Sequence, residues 1–254
     1  ALESWRGFVF VNLAAKPRSS LQDALAEEAG NVAAWPLEAV RKVHRAEHRV
    51  ACNWKVFWEN YLECYHCPGV HPDLCRLVPI YRTGFMDYGD AGLEPDSQRP
   101  HAMLRPGAVT WSTDGGTDLP WFDGLGEADA ERGMTFASWT PTMFLVAHVD
   151  YVRTVRVMPI GPEQTRLIVD WYVHRDVLDH PSLDVERLVA FGSQVVAEDA
   201  RVCELNQQGM RCGRHQRGVL LEVENYVRDF EQWVRQRLDT GTGEREQCQE
   251  LRDG

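Results

Sequence analysis

The amino acid sequence predicts an α+β fold in which a long, twisted antiparallel sheet is flanked by helices in a helix-grip-like arrangement. Three segments alternate strongly between apolar and polar side chains, as half-buried strands do: residues 134–149, 151–160 and 165–175. A turn at residues 159–164 separates the last two, so these strands are expected to be antiparallel neighbours. Helical spacing of apolar groups extends over residues 183–212 and again over 222–238.

The first quarter of the chain predicts four shorter elements, which are strands at 7–13 and 41–52 and helices at 19–30 and 53–66. The first of these helices begins with serine and ends at glycine, which are common capping residues. The second carries tryptophan, phenylalanine and tyrosine at helical spacing, and the dipeptide Pro68-Gly69 is expected to end it.

Residues 75–133 are rich in glycine, proline and aspartate. This composition predicts loops, with short strands around 80–86 and 101–111. Residues 114–126 contain the densest run of glycine and aspartate, so they are the segment expected to be most mobile.

Composition limits the function classes. A chain of 254 residues with 44% hydrophobic content can bury one large core, and its length does not require a second domain. The formal net charge of -11 argues against binding to nucleic acid or to an anionic membrane surface, so small molecules are better candidates as partners. No apolar run approaches the roughly 18 residues that indicate a membrane span.

The seven cysteines are an odd number, and their spacing indicates no disulfide framework. Together with the lack of a recognisable signal peptide, this predicts a reducing, cytoplasmic location. The chain opens directly on a strand pattern at Phe8, as if within folded structure, so we expect a further domain upstream.

Two histidines, His66 and His71, lie five residues apart around Pro68-Gly69. On an unbroken helix this spacing would place them about 140° apart, and they could not share one ion. The helix is therefore expected to end after His66, so that the Pro-Gly turn brings His71 back towards it.

A third ligand is predicted at Asp199 on the long helix, because it lies on the same side as the apolar residues Val195, Val196 and Val202. A buried carboxylate is costly unless it is paired, and a metal ion removes most of that cost. Two imidazoles and one carboxylate on one face of an octahedron leave three positions free, an arrangement that suits iron(II) oxygenases.

Two other interpretations of these residues stay open. An inward aspartate on a helix is often only a hydrogen-bonded core group, and a pair of histidines alone is a weak signal. Zinc could also be held by Cys64, His66, Cys67 and His71, although the spacing is not that of a zinc ribbon or finger.

The whole motif strengthens the iron interpretation, because it resembles the catalytic domain of the Rieske-type non-haem iron oxygenases. The matching residues are Asn53-Trp54-Lys55, Glu59-Asn60, Glu63, Tyr65-His66, His71-Pro72, Glu198-Asp199, Cys203-Glu204 and Gln208-Gly209. The opening Trp5–Leu13 segment also looks like the strand at which that family's chain leaves its Rieske domain. The resemblance covers nearly the whole chain, so residues 1–254 are expected to form one mononuclear iron catalytic domain.

The resemblance implies that His66, His71 and Asp199 are the iron ligands. It also implies that Glu63 links the iron site to a Rieske cluster held by a neighbouring subunit of a homotrimer. Ring hydroxylators more commonly have aspartate at this position. Glutamate resembles the branch that acts on quaternary ammonium compounds such as glycine betaine, carnitine or proline betaine.

The chain departs from the family in its iron–sulfur motif. Cys64-Tyr65-His66 is similar to the first half of a Rieske motif, but no Cys-x-x-His follows anywhere. A [2Fe–2S] cluster is therefore expected only in the missing upstream domain. By resemblance, the partners are O2, a small-molecule substrate and an NAD(P)H-dependent flavin and iron–sulfur reductase.

The expected reaction is O2-dependent hydroxylation of an N-methyl group, giving a hemiaminal that loses formaldehyde. Ring hydroxylation of an aromatic substrate is the main alternative, and a non-catalytic ligand-binding domain is the alternative from another class. Aromatic rings attract quaternary cations, so Trp111, Trp139 and Phe144 are predicted pocket residues. Asn60 is a further predicted pocket residue. A substrate carboxylate could meet Arg153, Arg156 or His148, and the sequence does not choose among them.

Overall fold

A five-stranded antiparallel sheet forms the centre of the fold, in the order β3-β7-β6-β5-β4. Its strands are β3 (Val40–Val50), β4 (Met134–Trp139), β5 (Met143–His148), β6 (Tyr151–Gly161) and β7 (Gln164–His174). The computed structural model describes residues 1–214 and 218–250, with residues 239–250 as backbone only. The sheet is open, and β3 and β4 lie at its two edges.

The two faces of this sheet pack against different cores. Odd-numbered residues of β6 and β7, such as Val155 and Trp171, face a helix-covered core that also contains Trp58. Residues of the opposite parity, such as Val152, face a second core with Trp35. Side chains alternate along a strand, so neighbouring positions on β6 belong to two different environments.

Seven α-helices surround the sheet in the part of the chain that the structure describes. They are α1 (Leu21–Ala29), α2 (Trp54–Tyr61), α3 (Cys67–Val70), α4 (Pro72–Leu77), α5 (Glu127–Arg132), α6 (Val185–Met210) and α7 (Asn225–Glu250). The beginnings of α1, α2 and α6 are capped by Ser20, Asn53 and Asp184, whose side chains accept backbone N–H bonds. Single 3-10 turns occur at Gly30–Val32, Leu37–Ala39, Pro79–Thr83, Arg175–Val177 and Glu222–Glu224.

A two-stranded hairpin, β1 (Leu2–Trp5) and β2 (Phe8–Val11), precedes the main sheet. Its turn residues Arg6 and Gly7 both have positive φ, at 47° and 89°. The Arg6 guanidinium donates to the carbonyl oxygens of Val32 and Trp35, which ties the hairpin to the core beneath the sheet.

The predicted fold class is confirmed, and most predicted elements are present. Several local predictions are wrong. Residues 80–86 and 101–111 contain no strands, since a 3-10 turn at Pro79–Thr83 and irregular loop take their place. The segment 134–149 is two strands rather than one, because the chain turns at Thr140-Pro141.

The predicted helix at 53–66 ends at Tyr61, five residues early. Pro68-Gly69 does not break a helix but lies inside α3, where proline at the start of a helix lacks only an N–H that would be unbonded anyway. The segment 114–126 has no regular secondary structure, as its composition predicts. It is nevertheless held by Arg187, which donates to Asp114 and Asp118.

Over the described residues, none of the helices combines the length and the apolar character required to cross a bilayer.

Candidate metal centre

Three side chains predicted as metal ligands converge between the sheet and α6. The His71 Nε2 atom lies 3.0 Å from the Asp199 Oδ1 atom and 3.2 Å from the His66 Nε2 atom. The His66 Nε2 atom lies 3.4 Å from the same Asp199 oxygen. One ligand atom from each residue thus belongs to a group close enough to hold a single ion.

Two separate parts of the chain supply these ligands. His66 lies in the turn between α2 and α3, and His71 is the junction between α3 and α4. The short helix α3 lies between them, and the two Nε2 atoms meet across it. Asp199 comes from α6, which packs beside α2.

A glutamate holds the second ring nitrogen of each histidine. The His66 Nδ1–H donates to Glu63 Oε1 at 2.6 Å, and the other Glu63 oxygen accepts the backbone N–H of His66. The His71 Nδ1–H donates to Glu198 Oε2 at 2.7 Å. These bonds set the tautomer, so that the lone pair of each Nε2 is directed towards Asp199 and a metal position.

This arrangement fits a divalent metal ion. Three ligand atoms on one face of an octahedron, each about 2.1 Å from a metal, are separated by about 3 Å. The observed separations of 3.0, 3.2 and 3.4 Å match that geometry. Two imidazole lone pairs that face each other beside a carboxylate repel one another unless a proton or a metal ion lies between them.

Without a metal, protons take the place of the ion among the same residues. Burial opposes the charged form of His66, but hydrogen bonds to Asp199 and Glu63 outweigh it and raise its pKa to about 9. Burial also disfavours the Asp199 carboxylate, yet the hydrogen bonds to both histidines lower its pKa to about 2. The site therefore holds an anion and attracts positive charge, whether protons or a metal.

A small, partly open cleft extends from the three ligands towards the sheet. Asn60 lies on its wall and donates from Nδ2 to Asp199 Oδ1 at 2.8 Å. Tyr61 and Phe144 stack with ring centroids 3.9 Å apart and form another wall. Further aromatic lining comes from Trp111, Phe136, Phe57 and Tyr81. The space beside the metal position is thus mostly apolar and aromatic.

The structure brings three of the four predicted pocket residues into this cleft, namely Asn60, Trp111 and Phe144. Trp139 lies elsewhere, in the core on the opposite face of the sheet, where its ring contacts Trp5. The reason is strand parity on β4. Phe136 points towards the cleft, so Trp139, an odd number of residues further on, points away.

Cys64 and Cys67 are joined by a disulfide across the turn that carries His66, with their Cα atoms 4.9 Å apart. The cysteine spacing indicated no disulfide framework, and this single pairing was not predicted. It also removes the thiolates that the alternative zinc site needed.

Two charged residues have roles in this region that the sequence did not assign. Glu198 was identified only as the neighbour of Asp199, yet it bonds the Nδ1 of His71. Arg153 was one of three candidates for meeting a carboxylate, and it alone of the three lies in the cleft lining. The alternation of β6 was the available signal for Arg153, since it has the same parity as the core residue Val155.

Two histidines and one carboxylate beside an aromatic cleft are typical of mononuclear non-haem iron oxygenases. Residues 37–240 match the sequence family of the ring hydroxylating alpha subunit, catalytic domain. The chain therefore belongs to this family, and the resemblance seen in the motif Asn53–Pro72 is confirmed.

Relatives of known function are also similar to this chain in sequence. The glycine betaine monooxygenase oxygenase subunit of Chromohalobacter salexigens is 28% identical, over 89% of this chain and 56% of the relative. The chloroplastic choline monooxygenase of Spinacia oleracea is 25% identical, over 77% of this chain and 40% of that protein.

One solved structure, a quaternary ammonium Rieske monooxygenase studied for carnitine oxidation by gut microbiota and for inter-subunit electron transfer, has a TM-score of 0.60 and 17% identity. The match covers 93% of this chain and 61% of that protein. At this identity the likeness concerns the fold. The chain spans little more than half the length of the glycine betaine relative.

Proposed function

We propose that this chain is the catalytic domain of an oxygenase that uses O2 and mononuclear iron(II) to hydroxylate an N-methyl group of a small quaternary ammonium compound. The observation that carries the proposal is the ligand set, in which Asp199 and the Nε2 atoms of His66 and His71 converge while glutamates hold both Nδ1 atoms. A domain that only binds a small ligand does not need two histidine rings that are each oriented by a glutamate.

Iron(II) would be held by His66, His71 and Asp199, and when bound it supplies O2 activation at the three positions left open. The surrounding residues would hold this site in place. Asn60 donates to Asp199 and keeps its carboxylate turned towards the histidines. The aromatic walls exclude water from the substrate side of the cleft.

Electrons would enter through Glu63. Its carboxylate bonds the Nδ1–H of His66, so it offers a hydrogen-bonded path from the protein surface to a ligand. The side chain of Glu63 is 13% exposed, which allows a neighbouring protein to approach it. We propose that this neighbour is the Rieske [2Fe–2S] domain of another subunit in a homotrimer, supplied by an NAD(P)H-dependent flavin and iron–sulfur reductase.

The substrate class follows from the cleft and from the relatives. Stacked rings such as Tyr61 and Phe144 attract a desolvated quaternary ammonium group. Oxidation of an N-methyl group consumes O2, two electrons and two protons, and yields water and a hemiaminal that releases formaldehyde. We also propose that residues 1–254 act as one catalytic domain, with the cluster in an upstream domain. The cytoplasmic location stays a prediction.

The first test is metal content. We expect freshly isolated protein to contain close to one iron per chain, and His66→Ala or Asp199→Ala to retain roughly a tenth of that or less. Trp139→Phe is the matched control, since Trp139 lies on the opposite face of the sheet. Iron-free protein that binds its small-molecule ligand fully would contradict the enzymatic function.

The second test identifies the reaction. The complete protein, supplied with a reductase and NAD(P)H, would be assayed for formaldehyde release with betaines and with aromatic acids. Formaldehyde from a betaine supports N-demethylation. Turnover of aromatic acids alone would replace it with ring hydroxylation at the same site.

A further inference from the structure

Arg153 lies in the wall of the metal cleft as a buried and unpaired positive charge. It is on β6 and only 3% exposed. Its Nη1 atom donates to the carbonyl oxygen of Gly192 at 3.1 Å, while its Nε–H has no hydrogen-bond partner. Across the described residues, no carboxylate forms an ion pair with it. A buried guanidinium without an anion is costly, and burial accordingly lowers the pKa of Arg153.

The nearest functional carboxylate is already engaged. Asp199 accepts a hydrogen bond from Asn60, lies 3.0 Å from the His71 Nε2 atom and faces the metal position. It acts on the Arg153 guanidinium only through longer-range attraction, since no ion pair joins the two side chains among the described residues. The Trp111 ring lies 5.5 Å from the Arg153 guanidinium carbon, which partly stabilises the cation but supplies no acceptor.

The surrounding fold makes room for this guanidinium instead of excluding it. Gly192 on α6 faces it, and a Cβ atom at that position would lie 3.0 Å from the Arg153 Nη1 atom. The indole nitrogen of Trp111, another residue of the cleft wall, is also buried without a hydrogen-bond partner. The Arg153 Nε–H and the Trp111 indole N–H are thus two buried donors in one wall without an acceptor, and they indicate a place for an anion.

We infer that Arg153, assisted by Trp111, binds a carboxylate of the substrate inside the metal cleft. This inference rests on the proposed function and narrows its substrate class to zwitterions. The carboxylate would pair with Arg153, and the quaternary ammonium group would lie against Tyr61 and Phe144. A cation without a carboxylate, such as choline, would place a second uncompensated positive charge in a cleft that already contains Arg153.

The experiment compares matched probes that differ in one group. Calorimetry on the purified full-length protein, with iron(II) under anaerobic conditions, would measure glycine betaine against choline and benzoate against benzyl alcohol. We expect the carboxylate of at least one pair to bind roughly 10- to 100-fold more tightly than its alcohol, as charge-assisted hydrogen bonds provide. Equal binding within both pairs, or binding of neither carboxylate, overturns the inference.

Variants then assign the preference to the side chain. Arg153→Met should remove the preference, and Arg153→Lys should retain part of it, because lysine keeps the charge but not the planar fork. Arg156→Met is the matched control: it lies on the same strand, but its side chain bonds Asp170 on the other face. A preference that survives Arg153→Met in folded protein also overturns the inference.

The outcomes separate this inference from the proposed function. A protein that holds iron but does not prefer carboxylates retains the function and loses the role of Arg153. If the carboxylate preference depends on Arg153 but the protein cannot hold iron, the role of Arg153 stands and the proposed oxygenase function is lost. Preference for benzoate alone supports Arg153 and argues against the quaternary ammonium substrate. The carboxylate preference is first measured on the unsubstituted protein. That measurement can overturn the inference even if a variant fails to fold.

Discussion

Asp170 on β7 and Arg153 on β6 are buried charges on neighbouring strands, and they differ in whether the fold provides a partner for the charge. Asp170 is 1% exposed and accepts two hydrogen bonds from the Arg45 guanidinium, at 2.7 and 2.9 Å, and a longer one from Arg156. Arg153 is similarly buried on the opposite face of the sheet and has no anionic partner among the described residues. The first charge is neutralised within the fold, whereas the second requires something from outside.

This difference separates structural from functional burial. Evolution of a stable core leaves buried charges paired, because an unpaired one reduces the free energy of unfolding. A charge left unpaired beside a metal position and an aromatic cleft therefore indicates a ligand. The glutamates of the metal centre also serve function, because their hydrogen bonds orient the Nε2 lone pairs towards a metal position.

The largest effect is expected at the metal centre. Glu198→Gln should weaken iron binding by roughly 10- to 100-fold, because the amide is a poorer acceptor for the His71 Nδ1–H and no longer fixes its tautomer. Competition with a chelator measures this affinity. Glu186→Gln, at the exposed start of the same helix, is the control. Unchanged iron affinity would show that Glu198 does not position His71.

A smaller effect is expected from the paired charge. Asp170→Asn should lower the free energy of unfolding by about 2 kcal/mol, because it removes charge-assisted hydrogen bonds from a buried position while leaving Arg45 partly in solvent. Urea denaturation measures the change. Iron content should stay at the level of the unsubstituted protein. A loss of iron would mean that the two faces of the sheet are not independent.

The same pair predicts a dependence of stability on pH. Burial opposes ionisation of Asp170, but Arg45 outweighs it and lowers the pKa of Asp170 below its ordinary value. Its contribution is therefore present in full above about pH 4 and is lost as pH falls through the lowered pKa of the folded protein. Below pH 4, unfolding curves of the unsubstituted protein and Asp170→Asn should converge. Parallel curves would contradict this assignment.

The smallest effect on stability is expected at Arg153. Replacing an unpaired buried cation with an apolar side chain is often neutral or stabilising, so Arg153→Met should unfold within about 1 kcal/mol of the unsubstituted protein. Thermal or urea unfolding measures this. A loss as large as that of Asp170→Asn would show that Arg153 has a structural partner, and the contrast between the two charges would disappear.

Much of the fold and the ligand set could be predicted from the sequence. The strands β6 and β7 and the long helix α6 carry clear periodicities, which are local properties of a chain with one buried face. His66, His71 and Asp199 stood out because two imidazoles and an inward carboxylate form a recognisable metal-binding group. Predictions failed where periodicity is weak, as at 80–86, or where strand parity was not followed, as at Trp139.

The sequence by itself determined the family, the sheet-forming segments and the residue types able to hold a metal, because these depend on local pattern and on chemistry. Only the tertiary structure decided that Glu198 bonds His71, that Arg153 lies in the cleft and that Trp139 does not. Each of these depends on how segments far apart in the chain pack together. Whether a buried charge has a partner depends on that packing and cannot be read from any single segment of the sequence.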